Sequence, residues 1–413
     1  MNAPRTSRLA FASVAGTALE YYDFAVYNTL AALVFGKLFF PTLSPTAGIL
    51  AAFATFWVGY LSRSLGGLWF GRMGDRRGRR YVLVMTLLLM GVTTTAIGFL
   101  PTYEKIGVLA PVLLVSLRFV QGMALGGEWA GAVLLSVEHG SENQRGRNAS
   151  FAQMGPSIGV LFATGAVALL TWALSEQQLL DWGWRLPLLA SVLLVGFGLW
   201  LRLGVPETPE FLKLESARTR TPLGDVFRGH LRGLVVAGGS RFGPDVVYSL
   251  VTAFCLTYVT TMLGHSRTLA TTALAIGAAC NAAFILLAGH LSDRFGRRAV
   301  YGAGAGIAAL WLCALFPLLH SGSALLITLA FVSGLVVHAF MYGPQGAFIA
   351  EQFPPQVRYA GSSVAYTFAG MFAGGVAPLM FTRLYQTWEH PGPIVIYGLV
   401  ALLITALALY KAR

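Results

Sequence analysis

Long apolar runs broken by short polar turns recur from one end of the 413-residue chain to the other. A helix needs about 20 apolar residues to cross a bilayer. Runs of that length fall at 11–36, 46–70, 81–100, 108–136, 149–172 and 184–204, and again at 232–262, 269–291, 299–319, 323–350, 358–386 and 393–410. They predict an all-α integral membrane protein: twelve transmembrane helices in two pseudo-symmetric six-helix bundles, 1–204 and 232–413. The connection between them, 205–231, contains ETPEFLKLESARTR and reads either as a disordered linker or as a short amphipathic helix at the membrane surface.

The two halves share a motif. GRMGDRRGRR at 71–80 returns as GHLSDRFGRR at 289–298, so Gly71, Asp75, Arg76, Gly78 and Arg79 have counterparts, Asp293, Arg294 and Arg297 among them, 218 positions later. A second echo follows: Glu138 precedes Arg145 by seven residues, and Glu351 precedes Arg358 by seven. Duplicated halves in a membrane chain are the usual build of a secondary transporter.

Charge refines this picture. The net charge is +12 although only 11% of residues are charged and 56% are hydrophobic. A basic balance can signal nucleic acid, but here Lys and Arg sit in the turns between apolar runs and form no basic face, which excludes that partner. With the N-terminus in the cytoplasm, 21 of the 29 Lys and Arg, Arg202 included, fall on the cytoplasmic side and 3 on the other. The positive-inside rule then places both termini in the cytoplasm of a multi-pass cytoplasmic-membrane protein. The first apolar run holds Glu20 and Asp23 and is too long for a signal peptide, so it is expected to stay as a membrane helix. Cys255, Cys280 and Cys313 lie inside apolar runs and read as packing residues. Catalytic triads, metal clusters and nucleotide loops are not evident, so neither an enzyme nor a metal or organic cofactor is expected.

Ionisable residues inside a bilayer are costly and default to a functional role. Gly16, Glu20, Asp23 and Tyr27 share one face of the first helix; Arg118, Gln121 and Glu128/Trp129 do so on the fourth. Arg241, Asp245 and Tyr248 stripe the seventh, and His338, Tyr342 and Gln345 the tenth. Such stripes are what an aqueous central cavity requires. Asp23 and Arg118 read either as a static pair or as one that opens when Asp23 is protonated, which would license reorientation. Glu20 reads as snorkelling or as a partner of Arg63, Glu128 as a gate or a packing residue, and His338 as a titrating group or a bonded core residue. Arg241 offers a bidentate fork to a carboxylate. Asp245 either neutralises it or meets an ammonium. In the repeated motif, glycines allow a tight turn and Asp accepts hydrogen bonds near a helix start. The motif reads as a cytoplasmic gate gripping neighbouring helix ends, with Glu138, Arg145, Glu351 and Arg358 as partners.

G-x-x-x-D-R-x-G-R-R between the second and third spans and again between the eighth and ninth, with RFVQG at 118–122, resembles the major facilitator superfamily. LEYYDFAVY (19–27), RFVQGMALGGEWAGA (118–132), DWGWRLP (181–187) and MYGPQGAFIAEQFPPQVRYAG (341–361) are similar to its metabolite:proton symporter family, whose members carry shikimate, 2-oxoglutarate, citrate and proline or betaine. The resemblance implies that helices 1, 4, 7 and 10 line the cavity, that substrate contacts add Gln153 and Tyr366 to Tyr27, Arg63, Gln121 and Trp129, and that a monomer works by rocking its halves. It implies proton-coupled import of a small polar metabolite bearing a carboxylate or a zwitterion, with the proton as coupling ion. An efflux antiporter of the same fold and, from another class, a non-transporting receptor are the alternatives. The chain departs from the family at Tyr21, Ser62-Arg63-Ser64, Pro244-Asp245 and Tyr366-Thr367, and the last two fall where substrate would be read.

Overall fold

A computed structural model describes residues 6–43, 45–216 and 223–412. Among the described residues twelve long helices follow one another: α1 (Thr6–Leu30), α2 (Pro45–Arg77), α3 (Arg79–Phe99), α4 (Leu109–His139), α5 (Arg145–Ala173) and α6 (Glu176–Leu203) form the first set. The second set is α7 (Leu231–Met262), α8 (Arg267–Phe295), α9 (Arg297–Leu319), α10 (Ala324–Glu351), α11 (Arg358–Trp388) and α12 (Gly392–Lys411). Among the described residues, ten of these, α3 to α12, are long and apolar enough to cross a membrane. In the connection between the sets, Pro209–Ser216 and Leu223–Gly229 are helical, while 217–222 lie outside the described residues.

Within the first set α1 packs on α5 and α2 on α4; within the second, α8 and α9 pack on α10. The sets meet along two matched seams, α2 against α11 and α5 against α8. The motif turns Gly78 (φ 102°) and Gly296 (φ 91°) end α2 and α8 in backbone conformations that only glycine adopts freely. They lie on one face of the molecule, the motif face. The chain's far end lies there too, since Arg232 donates to the Lys411 carbonyl and Arg298 to that of Ala412.

Glycine sets the α2–α4 distance. A Cβ at Gly126 would lie 2.1 Å from the Arg63 carbonyl oxygen, one at Gly122 would lie 2.4 Å from that of Gly59, and one at Gly66 would lie 2.0 Å from that of Met123. Small residues at such crossings let membrane helices pack backbone to backbone. Gly126→Val is therefore expected to drive α2 and α4 apart and to abolish the monodisperse peak in size-exclusion chromatography. A wild-type profile would show that the crossing tolerates a side chain.

Pro244 interrupts α7. Lacking an N–H, it cannot bond the Ser240 carbonyl four residues back. Tyr301 Oη at 2.7 Å and Thr405 Oγ1 at 3.1 Å take that oxygen instead. The break is stabilised from α9 and α12, and it presents Arg241 and Asp245 at mid-helix.

Candidate functional site

A cavity of about 270 Å³ lies between the bundles, lined by residues of α1, α2, α5, α7, α10 and α11. A smaller one of about 150 Å³ shares Ala253 and Pro378 and extends to Met262 and Gln386. The main cavity holds Arg63, Arg241 and Asp245, with Tyr21, Tyr60, Tyr248, Tyr342 and Tyr366 around them.

Arg241 is already committed. Its Nε donates to Asp245 Oδ2 at 2.6 Å, its Nη1 donates to the Tyr366 carbonyl, and its guanidinium lies 3.2 Å from the centre of the Tyr366 ring. Trp129, from the other bundle, stacks on Tyr366 with ring centres 3.6 Å apart. Arg63 differs. It donates to Tyr21 Oη at 2.9 Å and faces the Tyr366 ring at 5.5 Å, yet its Nε has no hydrogen-bond partner. Among the described residues no carboxylate lies within 4 Å of it. Two guanidiniums against one carboxylate leave the cavity one positive charge in excess.

His338 is tied into the wall. Ser157 Oγ donates to Asn281 Oδ1 at 3.1 Å, and Asn281 Nδ2 bonds the Leu335 carbonyl at 2.6 Å and meets His338 Nδ1 at 2.9 Å. With the amide so oriented, Nδ1 accepts and the neutral ring carries its proton on Nε2.

Of the substrate contacts expected from sequence, Arg63, Arg241, Asp245, Tyr248, His338, Tyr342 and Tyr366 line the cavity. Tyr27, Gln121, Trp129, Gln153 and Gln345 do not. Tyr27 donates to Thr55 and Gln121 to Thr94 inside the first bundle, and Gln345 donates to Tyr301 at the α7 break. Trp129 donates to Gln153, which donates to the Tyr342 carbonyl at 3.0 Å, so both sit in the packed layer between cavity and motif face. Tyr21, Asn28 and Tyr60 join the lining unannounced. Helix 4 is displaced from that lining because its polar face turns into its own bundle.

That inward turn corrects two expected pairs. Asp23 does not meet Arg118: it accepts from Ser191 Oγ at 2.5 Å, while Arg118 donates to Gln121 and Asn28 and lies about 4 Å from the ring centres of Phe24 and Tyr27. Glu20 does not meet Arg63: it lies 3.1 Å from Arg202, which also binds Glu128. Arg202, counted from sequence as a cytoplasmic charge, is 4% exposed. Its place at the end of an apolar run concealed it.

On the motif face the two copies cross-link the bundles. Asp75 accepts from the Tyr359 and Ala360 N–H groups at 3.1 and 2.9 Å, capping the start of α11. Asp293 accepts from those of Gly146 and Arg147, both at 2.8 Å, capping the start of α5. Each aspartate sits in the last turn of its own helix and caps a helix of the opposite bundle. A carboxylate on free N–H groups is favoured by charge-assisted bonding and the helix dipole. Arg79 holds Glu138 at 3.1 and 3.2 Å, and Arg297 holds Glu351 at 3.4 Å. The copies are unequal: Arg79 and Glu138 are fully buried, whereas the Glu351 side chain is a third exposed.

The seven-residue Glu–Arg echoes do not pair internally. Arg358 lies 3.6 Å from Glu138, and both Arg358 and Arg145 engage Glu210 of the connecting segment. Glu207 accepts from the Arg79 and Arg80 N–H groups at 3.0 Å each, capping α3. Sequence reading passed over both glutamates as linker charges. Gly71 lies against Ala360, where a Cβ would be 2.9 Å from Cα. Arg76 and Arg294 are exposed and, among the described residues, make no ion pair, so they stand outside the clasp.

Comparison with known proteins gives two family matches: "Sugar (and other) transporter" over residues 9–222 and "Major Facilitator Superfamily" over 234–413. The chain is 37% identical to the inner membrane metabolite transport protein YhjE of Escherichia coli K12, covering 97% of this chain and 94% of that protein. It is 37% identical to the shikimate transporter of the same organism, covering 98% and 93%. It is 32% identical to that organism's proline/betaine transporter, covering 91% and 77%. Among solved structures, the proton:xylose symporter XylE bound to 6-bromo-6-deoxy-D-glucose superposes with a TM-score of 0.82 at 17% identity, covering 99% of this chain and 95% of that one. That likeness concerns the fold.

Proposed function

The chain belongs to the major facilitator superfamily, as a multi-pass membrane transporter and not an enzyme, and from that premise we propose that it imports a small carboxylate-bearing metabolite together with protons across the cytoplasmic membrane. The observation that carries this is the charge excess of the cavity: Arg63 and Arg241 face one carboxylate, Asp245. A substrate carboxylate supplies the missing negative charge, and guanidinium holds it bidentately. The relatives named for shikimate and for proline/betaine support the class of cargo. The tyrosines around Asp245 favour a second reading, a zwitterion whose ammonium rests on aromatic faces while its carboxylate meets Arg63.

In this reading the bundles 1–204 and 232–413, joined by 205–231, rock about the cavity. The motif face is cytoplasmic, and the Asp75 and Asp293 clasps hold it shut. Proton coupling lies in the first bundle, among Glu20, Asp23 and Glu128 with Arg118 and Arg202.

Uptake into proteoliposomes tests the proposal with three probes: shikimate, glycine betaine and xylose. An inward proton gradient is expected to accumulate shikimate, a protonophore to abolish that accumulation, and xylose to be ignored. Accumulation of betaine in place of shikimate selects the zwitterion reading. Xylose uptake, or uptake indifferent to the protonophore, overturns both.

A further inference from the structure

Within the first bundle, outside the cavity lining, Glu20 of α1 and Glu128 of α4 converge on Arg202 of α6. Arg202 Nη2 lies 3.1 Å from Glu20 Oε1 and bonds Glu128 Oε1; Arg202 Nη1 donates to Glu128 Oε2 at 3.0 Å. The guanidinium is pressed against the α1 backbone at Gly16, where a Cβ would lie 2.8 Å from Nη2. All three residues are buried, with Glu20 1% and Glu128 0% exposed. Glu128 is well served, since Thr86 Oγ1 also donates to it at 3.3 Å. Glu20 is not: among the described residues neither of its oxygens is in a hydrogen bond. The other titratable groups facing the cluster are Asp23, nearly one turn along α1, and Tyr359 of α11.

Two carboxylates against one guanidinium leave a negative charge in a site sealed from water. A buried charge without full compensation is held neutral instead. One proton on the carboxyl pair removes the excess and gives an unpartnered oxygen a donor role.

We propose that Glu20 and Glu128 form a shared proton site organised by Arg202, with Tyr359 as its lid on the motif face. The Tyr359 hydroxyl donates to the Gly127 carbonyl at 2.7 Å, next to Glu128, and its ring fills the space over Gly74. Tyr359 comes from the other bundle, and its N–H is one of the two that Asp75 caps. The residue that seals the carboxyl pair is thus fixed by the motif aspartate. When the clasp opens and the bundles part, the ring withdraws and the pair exchanges its proton with water on that face. The proton moves between carboxyl and water, and no other bond changes. The coupling role of this site rests on the symport reading, but the site itself does not.

Infrared spectroscopy of the purified full-length chain in lipid nanodiscs tests the site without any substrate. The wild type is expected to show the C=O band of a protonated carboxylic acid at neutral pH. Glu20→Gln and Glu128→Gln should each lose it, because either single variant leaves one carboxylate matched to one guanidinium. Arg202→Lys, which keeps the charge, should retain it. Absence of the band from the wild type, or its survival in both glutamine variants, overturns the proposal. In D2O the band should shift slowly in the wild type and at least about tenfold faster in Asp75→Asn, roughly 1.4 kcal/mol of lost closure. Equal rates would remove Tyr359 and the clasp from the role of lid. Failure of shikimate or betaine uptake would leave these spectra unchanged, so the two proposals fail separately.

Discussion

Arg63→Gln is expected to weaken carboxylate binding by roughly 30- to 1,000-fold while leaving the fold intact. A buried charge-assisted contact is worth about 2–4 kcal/mol when one partner is truncated, which is that range in affinity. Among the described residues Arg63 has no carboxylate within ion-pair distance, and Asp245 keeps Arg241, so its removal is expected to strand no buried anion. It gives up one bond to Tyr21 and a position over Tyr366. Arg241→Gln is the contrast. It strands Asp245, which is 9% exposed, and disturbs the Trp129–Tyr366 stack, so lost thermal stability should accompany lost binding. The check is ligand-induced thermal shift with shikimate, glycine betaine and xylose for wild type and both variants. An Arg63→Gln protein that binds the anionic probe like wild type would move the anion site to Arg241.

Glu138→Gln is expected to release the motif face. Removing one partner of a buried ion pair costs about 3–5 kcal/mol, because the other charge stays buried. Arg79 is fully buried, and Glu138 also draws in Arg358 of the opposite bundle. Water would compensate Arg79 once the bundles part, so the cost is expected to fall mainly on the closed form and the population open on that face to rise at least about 100-fold. Ser363 reports on this: it is 1% exposed and packs near Gly67 and Gly71 on the α2–α11 seam. Ser363→Cys, in a background without the three native cysteines, should react with a maleimide far faster when Glu138→Gln is added. Glu351→Gln should do much less, since Glu351 is a third exposed and water compensates Arg297. Equal labelling with and without Glu138→Gln would mean that the aspartate clasps alone hold the face shut.

The absence of the Asp23–Arg118 pair expected from the sequence has a plain cause. Both residues lie on the polar stripes that their spacing defines, but spacing gives a stripe's existence and not its bearing. Helix 4 turns this part of its stripe toward α1 and α3, so Arg118 reaches Asn28 and Gln121 reaches Thr94 while Asp23 finds Ser191. The same rotation removes Gln121 from the cavity wall. Arg202 failed for another reason: position at the end of an apolar run predicts a solvated charge, yet Gly16 leaves room for its guanidinium to fold back beside Glu20. Glu207 and Glu210 lie in the polar connecting segment, and only the packed helices reveal that Glu207 caps α3 and that Glu210 meets Arg145 and Arg358. Pro244, by contrast, was legible as a departure from the family pattern, although the oxygen that it frees and the two hydroxyls that take it were not.

By itself the sequence determined the solvent, the helices and the duplication. Apolar runs of bilayer length admit no other regular structure in lipid, because only a helix satisfies its own backbone within one segment. The motif's glycines and aspartates likewise fixed where two tight turns and two acceptors must be. Tertiary structure decided which charge meets which. In a bilayer a buried charge is stable only beside a partner, and that partner depends on how each helix is rotated and how closely glycine lets its neighbour approach. That is why Arg63, without a carboxylate among its described neighbours, and Glu20, without a hydrogen bond, became visible as candidate sites only once the helices were packed.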